Sequence, residues 1–172
     1  MAQIPDQSQV KLYEQPLSRQ PDGPGKRIKN ISELTLCAPV KPGGAEQFRK
    51  NVAKYQAESG YYEFTLGTVH DLRIVFFNND TQVLFAATYE GDFKPYVEGV
   101  LRVASTWLDE MFVDVLEGFA GGTGPDTVEF ILKHIVEAEV WFVSNPDETN
   151  ADMVKRQKIV HAFDALLDAA QS

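Results

Sequence analysis

An α+β domain, built on a four-stranded antiparallel sheet with its helices on one face, is the fold class this sequence predicts. Three observations predict it. The stretch from Ile31 to Val40 alternates apolar and polar residues as a half-buried strand does. Gly67 to Phe93, "GTVHDLRIVFFNNDTQVLFAATYEGDF", reads as two strands joined by a tight turn. Between Pro95 and Val115, apolar residues return every three or four positions, the period of a helix with one buried face.

The elements follow in order. Residues 1–28 are polar, with four prolines and "PDGPG" near their end. Such a composition buries too little apolar surface to offset the entropy of ordering, so a flexible N-terminal arm is expected, able to lie across a partner subunit. A single domain over residues 29–172 follows. "ISELTLCAPV" turns Leu34, Leu36 and Ala38 to one face and Thr35 and Cys37 to the other, and "KPGG" stops it. Ala45, Phe48, Val52 and Tyr55 mark a helix to about Ser59, closed by Gly60. In the hairpin, "NNDT" supplies the turn. Asp92 is placed to cap the long helix, with Pro95 in its first turn. "GFAGGTGP" follows a helix and lacks the lysine and hydroxyl of a phosphate-binding loop, so it reads as a connector. A short helix comes next, with Asp126 and Glu129 in capping-box positions and Val128, Ile131, Leu132 and Ile135 inward. "AEVWFVS" is a fourth strand, with Ala138, Val140 and Phe142 inward. The capping box "TNAD" opens a last helix to about Ala170. This β-α-β-β-α-(α)-β-α order is the ferredoxin-like arrangement.

Bulk properties narrow the function. At 172 residues, 44% apolar and 24% charged, the chain suits one soluble globular domain. A net charge of -9 with scattered basic residues argues against nucleic acid, which demands a clustered basic face. Cys37 is the one cysteine, so no internal disulfide or thiolate zinc cluster can form. No window reaches the roughly 18 apolar residues of a membrane span, and no secretory signal opens the chain, so a cytoplasmic protein is expected.

A sheet covered on one side leaves its other face to explain. Alternation places Asp71, Arg73, Val75 and Phe77 there, opposite Leu72, Ile74 and Phe76, with His70 at the edge of the inner set. Cys37 and Trp141, with Glu139, join that open face. On the third strand two sets compete: Val83, Phe85, Ala87 and Tyr89 against Leu84, Ala86 and Thr88. Two such faces closing on each other would enclose a mostly apolar cavity with a few polar groups, the chemistry small ligands favour. Cys37, Arg73, Phe77, Tyr89 and Trp141 are the candidate ligand contacts. His70, Arg73 and Asp71 are the candidate catalytic residues. His70 serves either as a haem ligand or proton shuttle, or as a structural histidine bonded to a backbone carbonyl. Arg73 clamps a ligand carboxylate, or pairs with Asp71 or Glu139. Trp107 stacks on a ligand or sits in a subunit interface. His134 and His161 lack partners at metal spacing, and no metal site is expected.

The hairpin resembles one found in small peroxidase-related proteins of the dimeric α/β-barrel superfamily. There a "T-x-H-x-x-R" strand precedes an "LLF-x-x-x-Y/F-D-G" strand, matched here by Thr68, His70, Arg73, Leu84, Phe85, Tyr89 and Gly91. The resemblance covers roughly Ile31 to Leu116. It implies a homodimer in which two sheets pack as a barrel, with a small apolar or aromatic ligand inside. Its alternative implication is a small oxidoreductase, haem-dependent and peroxidase-like or a cofactor-free monooxygenase. The haem peroxidases of that superfamily carry Gly-x-x-Asp-Gly where this chain has "YEGDF".

Overall fold

The computed structural model describes residues 18–56 and 67–171. Five strands form one antiparallel sheet: β1 (Ser18–Arg19), β2 (Lys26–Ile28), β3 (Ile31–Pro39), β4 (Val69–Phe77) and β5 (Gln82–Glu90), in the order β1-β2-β3-β5-β4. Four helices accompany them among the described residues: α1 (Gly44–Tyr55), α2 (Phe93–Phe112), α3 (Thr127–His134) and α4 (Asn150–Gln171). The fold class is α+β, and the sheet does not close into a barrel.

β3 and β4 both run antiparallel to β5, which lies between them, so β3-α1-β4 is a split β-α-β unit. The turn of the hairpin holds Asn78, Asn79 and Asp80 all at positive φ, a region that Asn and Asp tolerate better than other side-chain-bearing residues. Thr81 closes it, its hydroxyl donating to Asn78 O at 2.7 Å. The inward set on β5 is Val83, Ala87 and Tyr89, all buried, which resolves the ambiguity in that strand. Ala38, Val83, Phe48, Met111 and Phe112 build one apolar core between sheet and helices; Leu34, Tyr89, Phe93 and Val97 build a second.

Four expectations are corrected. "AEVWFVS" forms no strand; Val140 and Phe142 are 71% and 86% exposed. A ladder starts there, with Ile135 opposite Leu36 and Val136 N–H donating to Thr35 O at 2.9 Å, but goes no further. Further along, β2 holds the same edge of β3 at Ser32 and Ile31. The sheet therefore gains its extra strands from residues 18–28, within the segment read as an arm; residues 1–17 lie outside the described residues. Asp92 makes no capping bond; Asp22, 71 positions from Phe93, accepts from the N–H groups of Phe93 and Lys94, both at 3.0 Å. Asp126 likewise caps nothing, and Val128 and Leu132 face outward, because Phe130, Ile131 and Ile135 are the side chains that pack on the core there. The predicted closure of α1 at Gly60 lies outside the described residues.

Candidate functional site

Strand register assembles the open face row by row. Cys37, Leu84 and Val75 stand side by side across β3, β5 and β4. Thr35, Ala86 and Arg73 form the next row, and Glu33, Thr88 and Asp71 the one after. Opposed residues in a sheet share a face, so these rows are one surface. Ile74 and Phe76 pack on the core from the other side of β4. Val75 and Phe77 remain 49% and 39% exposed, while Cys37 is half-buried.

Arg73 Nε lies 3.0 Å from Asp71 Oδ2, with both side chains largely in solvent. That pairing was one of the two expectations for Arg73, and at such exposure it contributes little to stability. It leaves a fixed charge pair at the margin of an apolar strip.

A β-bulge between Val69 and Asp71 takes His70 out of the strand's alternation. Its Nε2 lies 3.0 Å from Glu90 Oε1, and both side chains are mostly covered. The same Glu90 oxygen accepts the N–H of Asn150 at 2.6 Å. The histidine thus meets a carboxylate, where sequence reading offered a backbone carbonyl. A haem iron on Nε2 would have to displace Glu90, and the residues present do not fit that ligation. Among the described residues no group of three His, Cys, Asp or Glu could hold a metal ion.

Tyr89 stands away from the open face. It is fully buried on the helix side, stacked on Tyr96 with ring centroids 3.7 Å apart, and its hydroxyl accepts from Gln20 Nε2 at 3.3 Å. Burial pushes both phenols well above the ordinary tyrosine range, and the neighbouring Tyr96 phenol adds to the shift at Tyr89. Trp141 is half-buried in the irregular chain after α3, so no strand pairing places it on the face. Trp107 packs edge-on against Phe112, ring centroids 5.8 Å apart.

Sequence reading missed Glu33 as a special group. It is 3% exposed, and its carboxylate accepts from Lys26 N–H at 3.0 Å, Thr35 Oγ1 at 3.0 Å and Ala138 N–H at 3.5 Å. A glutamate inside a central strand was the available signal, because a buried carboxylate requires donors.

Among the described residues, hollows lie on the helix side. One, about 90 Å³, is lined by apolar side chains including Leu36, Val83, Phe85 and Phe112. At roughly 30 Å³ per water in the liquid it has the volume of about three waters, but its lining offers them almost no polar partner. Another, about 560 Å³, runs between α1, α2 and β4 and is lined by Tyr55, Val69, His70, Trp107 and Met111 among others. Residues 57–66, which connect α1 to β4 from its rim residue Gln56, lie outside the described residues.

Compared with known proteins, the chain matches no family model, no curated protein and no solved structure. No helix among the described residues is long and apolar enough to cross a membrane.

Proposed function

We propose that the chain is a ligand-binding homodimer in which the open sheet faces of two copies pack together and enclose a small apolar or aromatic molecule. One observation carries the reading: a sheet whose inner face is covered by helices exposes Val75 and Phe77 on the other, beside half-buried Leu84, Ala86 and Cys37. Apolar strips of this kind, rimmed by polar groups, mark interaction or ligand surfaces in soluble proteins. A second copy supplies a matching strip by symmetry, since a two-fold interface brings the same patch to itself. The Arg73–Asp71 pair stands at its edge, where the guanidinium can exchange Asp71 for a ligand carboxylate. The hairpin resemblance points the same way.

Light scattering on a sizing column, with a fluorescent naphthalene dye as the apolar probe, tests this. The wild type is expected to be a dimer that binds dye. Val75→Asp should be a monomer with an unchanged far-ultraviolet spectrum and no dye binding. A monomeric wild type, or a Val75→Asp dimer, overturns the reading.

A further inference from the structure

Two segments claim the same edge of β3. β2 pairs with its start, Arg27 opposite Ser32 and Ile28 opposite Ile31. The chain after α3 pairs with its middle, Ile135 opposite Leu36, also antiparallel. Carried on in that register, the second ladder would set Glu139 opposite Ser32 and Val140 opposite Ile31, the positions β2 holds. It stops short of them. Ala138 N–H turns to the Glu33 carboxylate, whose same oxygen takes the N–H of Lys26. Glu137 meets Arg19 at 3.3 Å and Lys26 at 3.5 Å. The two segments are therefore stitched together at the point where one would displace the other.

Residues 138–143 have the alternation of a strand, yet leave Val140 and Phe142 in water. We propose that the β1–β2 hairpin and residues 137–143 are alternative occupants of one β3 edge, the hairpin acting as a stop that holds back a further edge strand. Three contacts fasten the stop: Asp22 on the N-terminus of α2, Arg27 paired with Asp92, and Gln20 bonded to Tyr89. With the hairpin released, the ladder from Val136 extends. Val136, Ala138 and Val140 then join Thr35 on the open face, because opposed residues share a side. The position of the hairpin thus sets how much apolar surface that face presents. This exchange does not depend on the pairing of two copies.

Hydrogen exchange read by mass spectrometry on the full chain decides it. In the wild type, amides of residues 139–143 exchange fast, whereas the Ala138 N–H is already held by Glu33. The double variant Asp22→Ala, Arg27→Ala unfastens the hairpin, so residues 18–28 should speed up while 139–143 slow by at least about tenfold. Ile28→Pro, which strikes a pairing residue of β2, is the second release variant. Adding Val140→Pro removes a donor from the extended ladder, as the N–H of Val136 two pairs earlier already points at β3, and should restore fast exchange. Protection of 139–143 in the wild type overturns the proposal. So does continued fast exchange in a variant whose residues 18–28 have become exposed.

Discussion

Asp22 takes the role that local sequence suggests for Asp92. Asp92 stands at the cap position of α2 but is drawn off by Arg27, and Asp22 satisfies the two open N–H groups instead. The same segment brings Gln20 to the buried Tyr89–Tyr96 stack. Burial raises both phenols, so the folded chain keeps them protonated where the unfolded chain would ionise. The sign follows: their contribution to stability is intact below about pH 10, the ordinary tyrosine value, and falls as pH rises beyond it. An alkaline absorbance titration of the six tyrosines should show a late group that ionises only as far-ultraviolet structure is lost. Tyr96→Phe should remove one tyrosine from that group. Ionisation of all six with the fold intact would contradict the burial argument.

At the scale of the element, α4 is an unusual helix because almost nothing among the described residues covers it. From Val154 onward its described side chains are exposed, including Ile159, Phe163 and Leu166. Its hold on the domain is at its first turn. Asn150 Nδ2 donates to Gly67 O at 3.0 Å and Val69 O at 2.8 Å, and its N–H reaches Glu90. Thr149 and Asp152 form the capping box that the sequence predicts, with Asp152 N–H donating to Thr149 Oγ1 and Thr149 donating back to the carboxylate. Those donors from Thr149 hold the Asp152 carboxyl below its usual range, so the box survives mild acid and is lost only as pH falls through that lowered value. Asn150→Ala should weaken the attachment by about 1–2 kcal/mol. Limited proteolysis should then cut faster around residues 144–149 while the midpoint of global unfolding stays near that of the wild type. An equal loss of global stability would mean that α4 is part of the cooperative core.

At the scale of the molecule, stability is concentrated between the sheet and α1 and α2. Phe112 sits at the centre, its ring 5.4 Å from Phe48 and 6.5 Å from Phe119. Truncation there leaves a hole that neighbours on three sides cannot close. Phe112→Ala is expected to cost about 3–5 kcal/mol in urea unfolding. A loss under 1 kcal/mol would show that the adjoining hollow lets the core collapse into the space. The open face stands in contrast. Val75 makes a half-exposed surface contact only, so its substitution should change association far more than folding.

Local pattern was enough where the physics is local. Alternation in β3 and β4, turn chemistry at Asn78 to Thr81, the stripe of α2 and the capping box of α4 all depend on residues a few positions apart. The open face was legible for the same reason, since Arg73, Val75 and Phe77 follow from period two once Ile74 and Phe76 point inward. The bulge at His70 was not, because a one-residue irregularity is set by what the partner strand offers, here Tyr89 and Glu90. Nor was the loss of the predicted fourth strand. Its sequence is adequate for a strand, but β2 holds the β3 edge through a two-residue turn at Lys29 and Asn30, with little loop to close. The sequence by itself determined which segments could be strands or helices and which of their faces are apolar. Tertiary structure alone decided which segment took the contested edge, and that an aspartate 71 residues away would cap α2. Both outcomes rest on competition between distant groups for one set of backbone donors and acceptors, and no window of sequence contains both competitors.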